Sequence, residues 1–159
     1  MSNGSLIYIT GLSGAGKTTI GLELQKTIPG SILLDGDIIR ETINKDLGFT
    51  RENKIENIRR NNALIKMLYD QGFTIICCFM ASIGEERDKL FDMCYNVIKI
   101  QLTTPVDICA QRDVKGLYAA GVNNFAGVTA KYCPLNNPDL SLDTSQLSIG
   151  ECVDKILSL

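Results

Sequence analysis

Residues 6–18, Leu6-Ile-Tyr-Ile-Thr10-Gly11-Leu-Ser-Gly-Ala-Gly16-Lys17-Thr18, decide the fold. Leu6–Thr10 reads as a buried strand, and the eight residues after it satisfy G-x-x-x-x-G-K-[ST] in full. A helical stretch from Lys17 to Thr27 follows, so the pattern sits between a strand and a helix, as its chemistry requires. The glycines let the backbone curl until successive N–H groups point into one cavity, and the positive end of the helix adds to that field. Lys17 supplies a mobile point charge for the β- and γ-phosphates, and the Thr18 hydroxyl is placed to ligate Mg²⁺. The predicted ATP contacts are Gly11, Leu12, Ser13, Gly14, Ala15, Gly16, Lys17, Thr18 and Thr19, with Thr18 as the metal ligand. A plain glycine turn into a helix is the competing reading, and it leaves the Lys-Thr pair unexplained.

Outward from this loop, short apolar runs alternate with amphipathic stretches. Ser31–Leu34, Phe73–Phe79, Val97–Leu102 and Leu140–Leu142 read as further strands. Helices are expected over Ile38–Lys45, over Arg51–Gln71 on the spacing of Ile55, Ile58, Ile65 and Tyr69, over Glu85–Phe91 and over Val106–Arg112. Ser148-Ile-Gly-Glu151 matches a capping box that opens a closing helix. Buried strands separated by helices imply an α/β fold: a three-layer P-loop NTPase of the nucleotide-kinase kind, its mostly parallel five-stranded sheet covered by helices on both faces. The expected organisation is one domain over residues 1–159. The Gly-, Asn- and Pro-rich segment 113–138 is too long for an ordinary connection and is expected to be a lid, with a disordered segment as the alternative.

Composition narrows the chemistry. Sixteen basic residues against eighteen acidic ones argue against a protein that blankets nucleic-acid phosphates. Anion handling must therefore be local, and six of the sixteen basic residues fall between Arg40 and Arg60. The absence of histidine removes Ser-His-Asp and Cys-His nucleophile systems and every His-containing metal site. None of the six cysteines has C-x-x-C spacing, so zinc and dithiol redox chemistry are not expected; Cys77 and Cys78 read as core filler. No apolar run approaches the ~20 residues needed to cross a bilayer. Reduced thiols and no export signal point to the cytosol.

The strand-end acids separate the kinds of nucleotide protein. Asn44-Lys45-Asp46 has its Asp one place short of a guanine-reading N-K-x-D, and Phe73–Phe79 runs into Met80 without a Walker-B acid. What remains is Asp35 and Asp37, in Leu34-Asp35-Gly36-Asp37-Ile38-Ile39-Arg40. A sugar hydroxyl is a poor nucleophile, so a carboxylate at a strand end can orient it and accept its proton. A helix N-cap beside Ile38 is the structural alternative for Asp37.

With the phosphate loop, this string resembles the L-D-G-D-x-x-R motif of the adenylylsulfate kinases. Gly48-Phe49-Thr50, Asn57-Ile58-Arg59-Arg60, Arg112-Asp113-Val114-Lys115-Gly116-Leu117-Tyr118, Phe125-Ala126-Gly127 and Asn137-Pro138-Asp139-Leu140 leading to Leu142-Asp143-Thr144 resemble it too, in the same order over nearly the whole chain. The resemblance implies a kinase that moves the γ-phosphate of ATP to the 3′-hydroxyl of adenylylsulfate, with Mg²⁺; relatives of this kind are often homodimers. It implies catalytic roles for Asp37, Lys17 and Lys115, and an adenine contact for Arg112. Acceptor binding would fall to Asp35, Asp37, Arg40, Phe49, Lys54, Asn57, Arg59, Lys115 and Phe125. Phe49 and Phe125 would hold the acceptor's adenine, since aromatic stacking is worth ~1–3 kcal/mol per base. For Arg59 and Asn57 a surface ion pair is the plain alternative.

Three departures from the family pattern fall on the acceptor and lid side. Asn53-Lys54 stands where an Asp-Arg pair is usual, and Lys keeps the charge but loses the planar fork. Phe79-Met-Ala-Ser-Ile-Gly84 replaces the usual F-I-S-P-Y-R, losing its Tyr and Arg. Ala119 and Ala120 stand where lysines are common, in a shortened lid. Two other readings stay open: a sister kinase acting on another activated nucleotide, such as a cytidine diphosphoramidate, and an ATP-binding module without turnover.

Overall fold

The computed structural model describes residues 4–80, 82–121 and 125–159. Ala81, within the divergent Met80–Gly84 segment, and residues 122–124 of the expected lid lie outside them. Strands β1 (Ser5–Thr10), β2 (Ile32–Asp35), β3 (Thr74–Cys78), β4 (Val97–Leu102) and β5 (Leu140–Leu142) form one sheet in the order β2-β3-β1-β4-β5. All of its strand pairings are parallel. The helices are α1 (Lys17–Thr27), α2 (Gly36–Glu41), α3 (Arg51–Asp70), α4 (Gly84–Met93), α5 (Val106–Arg112) and α6 (Ile149–Leu157).

Period-two alternation sends the strand side chains into two cores. Ile7, Ile9, Ile76, Cys78, Ile100 and Leu102 pack with Ile20 and Leu24 of α1, Cys109 of α5, and Val153 and Ile156 of α6. Leu6, Tyr8, Ile75, Cys77 and Phe79 pack with Ile39 of α2, Ile65 and Tyr69 of α3, and Leu90 of α4. A strand buried on both faces must be apolar throughout, which is why these strands read as runs and not as alternations. Winding fills one side of β1 with β2 and β3, then the other side with β4 and β5. That reversal leaves a crevice beyond the carboxyl end of β1, where ligands bind in open α/β sheets.

The expected strand at Ser31–Leu34 runs one residue later and takes in Asp35. The helix expected over Ile38–Lys45 starts at Gly36 and stops at Glu41. Asp35 caps it, accepting from the N–H groups of Asp37 at 2.9 Å and Ile38 at 3.4 Å. It ends early because Asn44 turns inward to full burial and donates from Nδ2 to Asn57 and Asn61 of α3. The capping box of α6 forms in both directions between Ser148 and Glu151.

Gly21 sets how closely α1 approaches the sheet. A Cβ there would lie 2.5 Å from Cys78 Sγ and 2.9 Å from Leu33 Cδ1. Alanine gains about 1 kcal/mol of helix propensity over glycine, whereas overpacking costs roughly 1–3 kcal/mol. Gly21→Ala is therefore expected to lower the urea midpoint, with a net loss of about 1 kcal/mol. An unchanged or raised midpoint would mean that α1 shifts away from the sheet at little cost.

Candidate active site

The phosphate loop is held from its outer side. Lys17 Nζ donates to the carbonyls of Gly11 (2.9 Å) and Leu12 (2.8 Å). The Tyr118 hydroxyl donates to Ser13 O at 2.8 Å, Arg112 Nη1 to Gly14 O at 3.0 Å, and Thr144 Oγ1 to Ala15 O at 2.8 Å. Ile20 N–H takes the Gly16 carbonyl. Every carbonyl from Gly11 to Gly16 thus has a donor. Gly14 and Gly16 adopt φ of 79° and 101°, in the left-handed region where a side chain is disfavoured. This winding presents the amide groups and the start of α1 to the cavity, the arrangement that binds phosphate.

Two carboxylates at the end of β2 divide the work. Asp35 is buried; one oxygen caps α2 and the other accepts from Thr18 Oγ1 at 2.6 Å. Because Asp35 is the cap, Asp37 is not. Its side chain is 58% exposed and meets the ammonium of Lys115, which reaches in from the segment after α5. Lys17, Thr18, Asp35, Asp37 and Lys115 all line one cavity of about 1190 Å³. Burial, then the positive Lys115, lowers the pKa of Lys17 to about 8.

The other end of that cavity carries the remaining expected contacts. Arg40 donates to the carbonyls of Leu47 (3.3 Å) and Gly48 (2.8 Å), and its guanidinium lies 4.6 Å from the centroid of the Phe49 ring. Burial and the nearby Arg40 lower the pKa of Lys54. Phe49 is exposed, whereas Phe125 is buried and packs edge-on against Tyr118 at 4.8 Å; both line the cavity. Asn57 lines it as well, its Oδ1 accepting from Asn44 Nδ2 at 2.9 Å. Arg59 is not brought in: it is bound to Glu56 through Nε at 2.7 Å and Nη2 at 2.8 Å on the outer face of α3. Leu12 and Thr19 also part company, since Thr19 lines the cavity and the Leu12 side chain lies against Gly127.

Sequence reasoning placed Thr144 and Tyr118 within matching strings without assigning them work. Thr144 Oγ1 accepts from Arg112 at 2.8 Å while donating to Ala15, and Thr104 Oγ1 lies 2.9 Å away. A hydroxyl just past the carboxyl end of β5 was the available signal. Nothing in the sequence marked Asn44, Asn57 and Asn61 as a mutually bonded trio. All six cysteines are free of disulfides, and burial holds Cys77 well above its usual range and pushes Cys78 up to about 12.

An anion nest, a lysine at its mouth and a strand-end carboxylate in one crevice define a P-loop phosphotransferase. Residues 3–143 match the adenylylsulphate kinase family. The chain is 38% identical over 162 residues to an adenylyl-sulfate kinase of Halothermothrix orenii, covering 97% of this chain and 88% of that one. It is 37% identical over 164 residues to one from Clostridium kluyveri, covering 98% and 82%. The structure of the Mycobacterium tuberculosis APS kinase CysC in complex with AMPPNP and APS superposes with a TM-score of 0.90 at 29% identity, covering 99% of this chain and 98% of that chain. A gluconokinase from Sinorhizobium meliloti, at 17% identity and TM-score 0.64, shares the fold. This chain belongs to the adenylylsulfate kinase family.

Lys17 yields a pH signature. Below pH 8 the free protein already carries the ammonium that a polyphosphate prefers; above it the amine is neutral and must take up a proton when nucleotide binds. Calorimetry in buffers of different ionisation enthalpy should show uptake approaching about one proton near pH ~8.5 and close to none near pH ~6.5. Lys17→Arg, which does not titrate here, should abolish the pH dependence. Undiminished uptake in that variant would assign the proton to another group.

Proposed function

We propose that this chain is an adenylylsulfate kinase, transferring the γ-phosphoryl group of ATP to the 3′-hydroxyl of adenylylsulfate to give 3′-phosphoadenylylsulfate and ADP. The observation that carries the reading is the position of Asp37: relieved of capping by Asp35, exposed, and facing the same cavity as the phosphate loop. In the reaction the 3′-oxygen bonds to the γ-phosphorus as the bond to the β–γ bridging oxygen breaks. The electron pair leaves with ADP and the hydroxyl proton passes to Asp37. Lys17 and Lys115 stabilise the charge that spreads over the transferring oxygens.

Mg²⁺ fits the remaining donors. Thr18 Oγ1 and the Asp35 carboxylate lie 2.6 Å apart at the mouth of the loop, and Mg²⁺ needs few protein ligands beside phosphate and water. Thr18 would ligate it directly and Asp35 through its water shell; the ion would neutralise phosphate charge. Arg40, Lys54 and Asn57 supply donors for the acceptor's anionic end, and Phe49 and Phe125 supply aromatic surface for its base. Segment 113–138 acts as the lid: Asp113 accepts from the N–H groups of Tyr118 and Ala119, and Lys115 between them bridges to Asp37.

Incubation with Mg-ATP and adenylylsulfate is expected to give ADP and 3′-phosphoadenylylsulfate, and Lys17→Ala to abolish it. Asp37→Asn should lower kcat by about 10²–10⁴ with ATP affinity nearly unchanged. Equal losses in both would place Asp37 on ATP or its metal instead. Lys54 in place of arginine motivates an acceptor panel with a cytidine-based nucleotide, and preference for that compound would replace adenylylsulfate as the substrate.

A further inference from the structure

A second cavity, of about 550 Å³, adjoins the acceptor end of the catalytic one, and Lys54 and Ser82 line both. Four cations line it, Arg51, Lys54, Arg87 and Lys131, against two carboxylates, Glu85 and Asp88. This local surplus of positive charge occurs in a chain whose net charge is −2. Asp88 is already engaged, by Arg87 Nε at 2.7 Å. Seven of the chain's sixteen Lys and Arg residues are ion-paired, yet Arg51, Lys54 and Lys131 pair with no described carboxylate.

The cavity is built and not merely a patch of mobile lysines. Arg87 is only 1% exposed, and the carbonyls of Cys133 (2.8 Å) and Pro134 (3.4 Å) fix its guanidinium in the wall. Arg51 and Lys54 occupy the first and fourth positions of α3, where the helix dipole disfavours positive charge unless an anion lies nearby. The ten-residue α4 also begins on this cavity, with Ile83 at its N-cap offering no side-chain acceptor to the first-turn N–H groups. Charge, shape and backbone polarity agree on one ligand chemistry.

The geometry points to an oxyanion site in this cavity for a tetrahedral sulfate or phosphate group, held by Arg51, Lys54 and Lys131. The group is a free oxyanion, since under the proposed function the acceptor's anionic end is served by Arg40, Lys54 and Asn57 in the catalytic cavity. The site stands on the cavity alone and does not depend on adenylylsulfate being the substrate.

Inorganic sulfate titrated into the nucleotide-free full chain, at constant ionic strength against chloride, is expected to give saturable NMR shifts in the backbone amides of residues 82–85. Arg51→Gln and Lys131→Gln should each weaken sulfate binding by about tenfold, the worth of one charge-assisted hydrogen bond, and leave ATP affinity unchanged. Both side chains are exposed, so the variants fold, which circular dichroism checks. Sulfate is expected still to bind in the presence of saturating adenylylsulfate. Displacement by adenylylsulfate but not by adenosine 5′-phosphate would overturn a separate site and assign these cations to the acceptor. Shifts no larger than those from chloride, or unaltered sulfate affinity in both variants, would overturn the site, whatever the kinase assay shows.

Discussion

The structure depends on an inversion of backbone polarity over six residues. A peptide carbonyl buried without a donor costs free energy, so a loop can aim its amides at a ligand only if its carbonyls are satisfied elsewhere. Here the donors to residues 11–16 come from Lys17, Tyr118 in the segment after α5, Arg112 of α5, Thr144 after β5, and Ile20 in the second turn of α1. The anion nest is therefore assembled partly by segments 98 to 129 residues away in the chain. Thr144 is the point where they meet, tied to Ala15, Arg112 and Thr104 by contacts of 2.8–2.9 Å. Loosening any of these leaves a carbonyl free to turn toward the phosphates it should avoid.

That constraint explains why the sheet winds as it does. β1 delivers the loop at the centre, and β4 and β5 must lie on one side to bring Thr104, Arg112 and Thr144 beneath it. β2 and β3 are then left on the other side, where Asp35 can reach Thr18 and residues of α2 and α3 line the opening. The distant donors to the phosphate loop and the carboxylates Asp35 and Asp37 thus come from opposite halves of one sheet. All three departures from the family pattern, at Asn53-Lys54, Phe79–Gly84 and Ala119-Ala120, fall on residues that donate nothing to the carbonyls of the loop.

Much of this was legible in the sequence, because strong local constraints leave local marks. A phosphate loop needs glycines at fixed offsets, doubly buried strands need apolar runs, and a capping box needs Ser and Glu three apart; each appeared within a residue of where it was read. The division of labour between Asp35 and Asp37 was not legible, since either carboxylate can cap a helix and only the start of α2 at Gly36 decides. Asn44 looked like part of a polar helix because nothing local marks an asparagine that will be fully buried against two others on α3. Arg59 was placed by pattern, but its register on α3 turns it to Glu56 and solvent. The basic cavity escaped notice because its cations come from three separated segments.

The contact between Lys115 and Asp37 links chemistry to closure under the proposed reading. Phosphoryl transfer through a loose transition state asks little of a base and much of position. A lysine carried on the lid and a carboxylate fixed at a strand end can meet only when the segment after α5 lies over the crevice. Asp113 helps to set that geometry: its carboxylate accepts two lid N–H groups, and its own backbone takes a positive φ of 26° at the end of α5. Lys17 engages loop carbonyls in a comparable way, so each lysine must exchange a protein partner for a phosphate oxygen. Exchanged hydrogen bonds contribute only about 1 kcal/mol net, so affinity must come from the number of contacts made together. A triphosphate supplies that number, whereas a single phosphate does not, and the arrangement favours the substrate that can react.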